Sequence, residues 1–216
     1  MSSFPVILSS PSGGGKTTIA YELLQRRSDI GYSISCTTRP PRPGEIDGTA
    51  YFFLTPEEFL AARERGEFAE SADVHGHFYG TLRREVDLVL RSGRNVVMDI
   101  DVQGARQFVG SYPDSVLIFI LPPDGQILLQ RLEARGTEDP KSMSRRLKSA
   151  IQELRAIGLY HYVVVNADLD TAVATVSGII DAEGVKRARI PGLEARIDGI
   201  VEDLERQLEH INRSHK

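Results

Sequence analysis

The chain of 216 residues has a single cysteine and no long hydrophobic run. Cys36 alone cannot form an intramolecular disulfide, which is typical of a protein from a reducing compartment. The longest apolar run, SVLIFILPP, is far shorter than the roughly 20 residues of a membrane-spanning helix. The first residues, MSSFPVILSSPS, lack the basic segment and apolar run of a signal peptide. We therefore expect a cytoplasmic protein that does not associate with membranes.

The sequence also lacks a strongly basic charge balance. Its formal net charge is −4, so no overall positive field favours a nucleic-acid partner. The hydrophobic fraction of 41% and the charged fraction of 26% are ordinary for a globular protein in water. A chain of this length can bury one good core and carry small appended regions.

Apolar runs that alternate with amphipathic segments predict an α/β protein. Strands are predicted at FPVILSS, YSISC, TAYFF, NVVMDID, SVLIFI and YVVVN. Helices are predicted at KTTIAYELLQRR, from TPEEF towards Gly66, at TLRREVDLVLRSG and GQILLQRLEARG, from Asp139 to about Ile157, and at LDTAVATVSGIIDAEG. The segment FAESADVHGHFYG is predicted to be extended, with a turn near Gly76. Uniformly apolar strands between helices predict a parallel sheet that is covered on both faces.

The first predicted strand and helix are joined by SSPSGGGKTT, which ends like the phosphate-binding pattern G-x-x-x-x-G-K-[ST]. Ser10 stands where that pattern has glycine, but a residue before proline is held at negative φ, where serine fits. The glycines that follow let backbone N–H groups approach phosphate, and the helix N-terminus adds its dipole. We predict a P-loop in which Lys16 reaches the β- and γ-phosphates and Thr17 ligates Mg²⁺. The alternative is a glycine-rich turn that binds nothing.

A second cluster, SISCTTRPPRPGEIDGTAYFF, places arginines, hydroxyls and a tyrosine just after a strand. Guanidinium groups suit phosphate because their planar fork donates two hydrogen bonds at once. A second phosphate site near the first predicts a phosphoryl acceptor that is itself a phosphate ester. A solvated basic loop is the alternative that this segment alone leaves open.

The order of these motifs resembles that of the guanylate kinases, enzymes that phosphorylate GMP from ATP. The resemblance is carried by SSPSGGGKTT, SISCTTRPPRPGEIDGTAYFF, GEFAESADVHGHFYGT, VVMDIDVQGA, LEARGTED, RRLKSA and VVVNADLD, between about residues 4 and 182. It implies a three-layer P-loop fold with a central parallel sheet, a small mixed β-rich GMP-binding region and a helical lid. The chain departs from the family pattern at Ser10 and at Ala167, where the family usually has an acid.

We divide the chain into four parts. The core is expected at residues 1–36, 86–123 and 156–185, the GMP-binding region at 37–85 and the lid at 124–155. Residues 186–216 are predicted to form an amphipathic helix, since apolar residues recur there in steps of three and four. The near-heptad spacing permits a coiled-coil contact and hence a homo-oligomer, while a helix folded back on its own core remains the alternative.

The resemblance assigns each site residue by position. ATP would be bound by Ser12, Gly13, Gly14, Gly15, Lys16, Thr17, Thr18, Arg135 and Asn166. The GMP phosphate would be held by Arg39, Arg42, Tyr51 and Tyr79, while Ser35, Glu70 and Thr81 would face guanine. The catalytic set would be Lys16, Arg39, Arg131, Arg135 and Arg146. The paired acids Asp99 and Asp101 complete the GMP side; Asp99 would hold Mg²⁺ through water with Thr17, and Asp101 would touch either guanine or the metal. Helix capping is the alternative for both acids, and Tyr32 is interpreted as a packing residue.

The implied reaction is an in-line, Mg²⁺-dependent transfer of the γ-phosphoryl group of ATP to GMP, giving ADP and GDP. dGMP is a candidate acceptor as well. No general base is expected, because a phosphate monoester with a second pKa near 6 is already ionised at neutral pH. Two alternatives remain: a related small P-loop kinase with another phosphorylated acceptor, and a non-catalytic guanylate-kinase-like binding module. Such modules lose the ATP loop, whereas this chain keeps Lys16 and Thr17.

Overall fold

The computed structural model describes residues 2–74, 76–134 and 140–214. The strands are β1 (Pro5–Ser9), β2 (Ile30–Tyr32), β3 (Ser35–Thr37), β4 (Phe52–Phe53), β5 (Phe68–Val74), β6 (His77–Leu82), β7 (Asn95–Asp99), β8 (Val116–Leu121) and β9 (Tyr162–Val165). The α-helices are α1 (Lys16–Arg26), α2 (Pro56–Glu64), α3 (Arg83–Arg91), α4 (Val102–Ser111), α5 (Gly125–Glu133), α6 (Pro140–Arg155), α7 (Leu169–Gly184) and α8 (Leu193–Ser214). Single 3₁₀ turns lie at Ile157–Leu159 and Arg187–Arg189.

A five-stranded parallel sheet with the order β2-β7-β1-β8-β9 forms the centre of the fold. Both faces of this sheet are covered, as the uniformly apolar strands predicted. Along β1, Val6 and Leu8 point into a cluster shared with α1 and α7, while Ile7 points into the opposite cluster, shared with α3 and α4. The α/β class with a parallel central sheet is therefore confirmed.

A second, four-stranded mixed sheet has the order β4-β3-β6-β5. Its small core stacks Phe59 of α2 between Phe68 and Phe78, with ring centroids 4.4 and 5.4 Å apart. The single strand predicted at YSISC is wrong, because the chain leaves the parallel sheet at Tyr32 and joins the mixed sheet at Ser35. This break carries the chain from one sheet to the other.

The helix α4 had no counterpart in the sequence-based prediction. Gly104 and Gly110 lower its intrinsic helix propensity, so the sequence signal is weak. The helix nonetheless has a regular start, because the Asp101 carboxylate accepts the N–H of Gly104 at 2.7 Å as an N-cap. Its inward side chains Ala105 and Phe108 are buried against the sheet, which shows tertiary packing overriding local preference.

Helices α5 and α6 have a small core of their own, in which Leu128 and Leu132 pack with Ala150. These helices lie within residues 124–155, where the sequence predicted an arginine-rich helical segment. None of the described helices is long and apolar enough to cross a membrane.

The chain divides into two compact units, of which the larger is Ser3–Ile180. The smaller unit contains Ser2 and the chain from Asp181 onward. Within it, the carboxylate of Glu183 accepts from Lys186 and Arg189. Within residues 186–216, where an amphipathic helix was predicted, the structure has a 3₁₀ turn followed by the helix α8 from Leu193 to Ser214.

The start of α2 offers a test of local folding rules. Thr55 accepts from the N–H of Glu58 while the Glu58 carboxylate accepts from the N–H of Thr55, which forms the predicted capping box. We expect Thr55→Ala to lower the free energy of unfolding by about 1 kcal/mol, measured by urea denaturation. Thr49→Ala is the matched control, since this exposed threonine shows no side-chain hydrogen bond among the described residues. Equal stability of the two variants would contradict the capping role.

Candidate active site

The loop between β1 and α1 has a backbone that requires glycine. Gly13 and Gly15 have φ of 85° and 96°, a region in which other residues are strained. Gly14 packs against Ser10, the residue that replaces the first glycine of the pattern. A Cβ at Gly14 would lie 2.6 Å from the Cβ of Ser10. Ser10 is buried and its hydroxyl donates to the carbonyl of Pro11 at 3.0 Å. The loop then runs directly into Lys16, the first residue of α1, so its N–H groups and the helix dipole converge on one place.

Asn166 fixes this loop from the neighbouring strand end. Its Nδ2 donates to the carbonyl oxygen of Gly14 at 2.9 Å, and a Cβ on Gly15 would lie 2.3 Å from that nitrogen. The backbone carbonyl of Asn166 accepts a hydrogen bond from Nη2 of Arg131 at 3.3 Å. Nη1 of Arg131 is buried without a hydrogen-bond partner among the described residues. A buried guanidinium nitrogen with an unused donor favours an anion at this place.

Asp99, at the end of β7, is held by two hydroxyl groups. Thr17 donates to its Oδ2 and Tyr32 donates to its Oδ1. The interpretation of Tyr32 as a packing residue is therefore incomplete: its ring packs against the core, but its hydroxyl reaches the site. Burial and the negative charge of Asp99 hold the pKa of Tyr32 well above its ordinary value, so the phenol stays a donor.

The pair of Thr17 and Asp99 beside the phosphate loop suits Mg²⁺. This ion prefers oxygen ligands and is usually bound by one or two carboxylates together with water and phosphate oxygens. No group of three or more His, Cys, Asp or Glu side chains that could hold a metal occurs in the part of the chain that the structure describes. A metal at this place would therefore depend on ligands from water and from a bound phosphate.

A second candidate site for phosphate lies at Arg39, just after β3 of the mixed sheet. Both Nη1 and Nη2 of Arg39 donate to the carboxylate of Glu45 at 2.9 Å, while Nε is buried and has no partner among the described residues. The guanidinium lies 5.6 Å from the ring centre of Tyr51, which in turn meets Tyr79 edge to face at 6.1 Å. Glu45 lies in the motif quoted above but was assigned no role from the sequence. Arg39 thus has its fork occupied by a carboxylate that a phosphate could replace.

Glu70 forms a polar pocket with its strand neighbours. Ser35, Thr81 and Glu70 pair across β3, β6 and β5, which brings their side chains together. Glu70 is only 6% exposed, and its carboxylate accepts from the hydroxyl of Thr81 at 2.7 Å. Burial raises the pKa of Glu70 to about 7, and the nearby charge of Asp101 adds to the shift. Gly104 closes the pocket, since a Cβ there would lie 2.6 Å from Oε2 of Glu70.

The two acids at the end of β7, Asp99 and Asp101, therefore have different neighbours. Asp99 lies with Thr17, whereas Asp101 caps α4 on the side of Glu70. The capping alternative is correct for Asp101 as a structural fact, and it does not exclude a second contact through the other oxygen.

Sequence reasoning missed Glu153 of α6. Its carboxylate accepts the N–H of Ser12 in the phosphate loop at 3.3 Å and is close enough to Lys16 to interact with its charge. Burial raises the pKa of Glu153. No short motif marks this residue, because its contact with Ser12 spans 141 positions of the chain.

The remaining predicted residues are placed as follows. Arg146 of α6 is half-buried, while Arg42 and Thr18 are exposed. The backbone N–H of Arg42 donates to the Glu45 carboxylate at 2.7 Å. Arg135 lies outside the described residues.

Comparison with known proteins identifies the family pattern. The family model described as guanylate kinase matches residues 2–183. The guanylate kinase of Symbiobacterium thermophilum is 46% identical over 184 residues, which cover 85% of this chain and 87% of that protein. The guanylate kinase of Thermotoga maritima is 46% identical over 183 residues, covering 85% and 88%. The crystal structure of guanylate kinase from Anaplasma phagocytophilum superposes with a TM-score of 0.76 at 34% identity, covering 91% of this chain and 94% of that one.

The buried carboxylate predicts a pH-dependent stability. The folded-state pKa of Glu70, about 7, lies above its ordinary value of 4.5. The folded state therefore binds the proton more tightly, and the free energy of unfolding should fall as the pH rises from 4.5 to 7. A shift of this size corresponds to up to about 3 kcal/mol.

We expect Glu70→Gln to remove much of this dependence of the unfolding free energy on pH. At pH 8 the variant should be more stable than the native protein, as measured by urea denaturation without nucleotides. Glu67→Gln is the control, because Glu67 is a solvent-facing acid of the same segment whose pKa is lowered by Arg65. An unchanged slope in Glu70→Gln would show that Glu70 does not titrate in the predicted range.

Proposed function

The chain belongs to the guanylate kinase family and catalyses the ATP-dependent phosphorylation of GMP to GDP, and we propose that the cleft residues do this by positioning two nucleotides and neutralising their charge. The observation that carries the assignment of the guanine-binding residues is the buried pair of Glu70 and Thr81 on the mixed sheet. This pair offers a carboxylate and a hydroxyl to a base.

ATP is proposed to bind at the loop after β1. Backbone N–H groups from Ser12 to Thr18 would cradle its phosphates, and Lys16 would reach the β- and γ-phosphoryl oxygens. Thr17 and, through water, Asp99 would hold Mg²⁺, which when bound neutralises charge on those oxygens. The contact of Asn166 with Gly14 supports a role in fixing the loop, in addition to the proposed position near adenine.

GMP is proposed to bind on the mixed sheet. Arg39, Arg42, Tyr51 and Tyr79 would hold its phosphate. The buried Nε of Arg39, which has no partner among the residues that the structure describes, supports this. A phosphate at Arg39 must displace Glu45, which now occupies the guanidinium fork.

Guanine is proposed to bind between Ser35, Glu70 and Thr81. Its N1–H and N2–H groups are donors and its O6 is an acceptor, so an ionised Glu70 suits the donors and a hydroxyl suits O6. Adenine offers the reverse pattern, which would leave buried polar groups unpaired, and such mispairing can reject a ligand by about 10⁴. Asp101 lies beside Glu70, which favours its guanine-side role over the metal role. None of these contacts involves the ribose 2′-hydroxyl, so dGMP should remain an acceptor.

The reaction needs no general base, because the attacking phosphate oxygen of GMP is already ionised at neutral pH. The barrier comes from the repulsion between two anions, which is about 4 kcal/mol for two unit charges ~4 Å apart at an effective dielectric of about 20. Lys16, Arg39, Arg131, Arg135 and Arg146 are proposed to offset this repulsion while holding the phosphoryl group in line.

We propose the same division into core, GMP-binding region and lid as the sequence suggested. Residues 37–85 hold most of the mixed sheet, and residues 124–155 hold α5 and α6. Movement of the lid towards the core on substrate binding would exclude water, which would otherwise accept the phosphoryl group. We also propose that the protein works in the cytoplasm, where both nucleotides are found.

The alternatives raised by the sequence are not favoured. The named relatives are guanylate kinases over most of their length, and the glycine loop with Lys16 is intact. A coupled assay with GMP, dGMP and AMP as acceptors tests the function directly. We expect turnover with GMP and dGMP and almost none with AMP. Equal use of AMP would overturn the guanine assignment.

Removing single arginines tests the charge mechanism. We expect Arg39→Ala and Arg146→Ala each to lower kcat by orders of magnitude, because each removes a cation that meets the transferring phosphoryl group. Arg91→Ala is the control, since Arg91 is exposed and its one ion pair within the described part of the chain is a long one, to Asp87 at 3.9 Å. Steady-state rates and circular dichroism would be measured on all three variants. Near-native rates in both cleft variants would defeat the assignment.

Glu70→Gln tests guanine recognition. We expect kcat/KM for GMP to fall by about 10- to 100-fold, the scale of a charge-assisted hydrogen bond of roughly 1.5–3 kcal/mol. GMP binding should also favour the ionised carboxylate, so the native protein should release a proton on binding near pH 6.5. Calorimetry in buffers with different ionisation enthalpies measures that proton. The same proton release in Glu70→Gln would assign it to another group.

Self-association through α8 stays a prediction. Ile197, Ile200, Leu204 and Leu208 are 44–60% exposed along one side of this helix. If they mediate association, Leu204→Glu in the full chain should lower the mass measured by light scattering, whereas Arg206→Glu, on the opposite side of the helix, should not. Identical masses for native protein and Leu204→Glu would remove the oligomer prediction.

A further inference from the structure

We propose that Tyr32 is a positioning residue of this enzyme: its hydroxyl holds the carboxylate of Asp99 in the orientation that supports the magnesium nucleotide. The inference rests on the proposed metal role of Asp99 and adds a residue to it. Tyr32 lies in β2, outside the phosphate loop and the motif that begins at Ser33.

The sheet register places the two side chains together. Tyr32 is paired with Val97 in the parallel ladder between β2 and β7. Side chains of directly paired residues lie on the same face, and Asp99 follows Val97 by two positions, so it shares that face. The ring of Tyr32 packs against the apolar cluster that contains Val97, while the hydroxyl at its far end reaches Oδ1 of Asp99. A rigid ring anchored in the core therefore sets where the hydroxyl sits.

Each oxygen of Asp99 has a different donor. Thr17 of α1 donates to Oδ2 and Tyr32 of β2 donates to Oδ1. The proposed role of Thr17 is to turn its hydroxyl oxygen to the metal, and a hydroxyl so engaged points its proton away from the ion. That proton can still be donated to Oδ2 of Asp99, so the two donors hold different oxygens, and Tyr32 is the one of the two that has no proposed contact with the metal. Groups that orient a metal-supporting carboxylate in this way typically change metal affinity or activity by about 10- to 100-fold when removed.

Tyr32 stands where the chain passes from the central sheet to the mixed sheet. The chain leaves the central sheet directly after Tyr32 and enters the mixed sheet at Ser35.

The test is Tyr32→Phe, which keeps the ring and removes one oxygen. Binding of ADP would be measured by calorimetry with and without Mg²⁺, so the readout does not depend on turnover. We expect metal-free ADP to bind the variant and the native protein equally. The gain in affinity that Mg²⁺ adds should fall about tenfold, and the Mg²⁺ concentration for half-maximal activity should rise by a similar factor while KM for GMP changes less than twofold.

The matched control is Tyr112→Phe. Tyr112 also donates a phenol hydrogen bond to a carboxylate, at 2.9 Å from Oδ1 of Asp87, but on the α3 and α4 side of the sheet. This variant should keep the native dependence on Mg²⁺. A loss in both variants would indicate a general effect of removing a phenol and would overturn the proposal.

A double-mutant cycle shows whether Tyr32 acts through Asp99. In the Asp99→Asn background, Tyr32→Phe should not reduce the Mg²⁺ gain further. An additional tenfold loss there, or a native Mg²⁺ gain in the single Tyr32→Phe variant, would overturn the proposal. A native Mg²⁺ gain in Asp99→Asn would overturn it as well and would refute the metal role of Asp99, while phosphorylation of GMP by the native enzyme would leave the proposed function standing.

Discussion

The parallel register between β1 and β7 is the constraint on which the site depends. Pairing of Leu8 with Asp99 ends both strands at the same edge of the sheet, so the loop after β1 and the acid at the end of β7 meet there. Thr17, the second residue of α1, can then donate to Asp99. A shift of one residue in this ladder would turn the side chain of Asp99 to the other face and separate the hydroxyl from the carboxylate.

Charge is the second organising feature of the cleft. Arg39 is paired with Glu45, and the phosphate-loop N–H of Ser12 is paired with Glu153, so carboxylates occupy both places at which phosphate is proposed to bind. A buried or half-buried charge needs such a partner, because desolvation without compensation is costly. If phosphate binds at these places as proposed, it would replace one anion by another, which would limit the net gain in affinity and favour release of product.

Several features could be predicted because their cause is local. The strand before the glycine loop, the capping box at Thr55 and the turn near Gly76 each depend on residues a few positions apart. The strand predicted at YSISC was wrong because an apolar pattern does not show which sheet each half joins. The helix α4 was missed because its glycines weaken the local signal, while its stability comes from packing of residues such as Phe108.

The sequence by itself determined the α/β class, the phosphate loop and, through motif order, the resemblance to a kinase family. Each of these features depends on a short segment of sequence, so it can be recognised without knowing the fold. Only the tertiary structure decided that Tyr32 reaches Asp99, that Glu153 caps the loop and that Asp101 lies beside Glu70. These contacts join distant segments, and their geometry follows from strand order and register, which a local pattern does not encode.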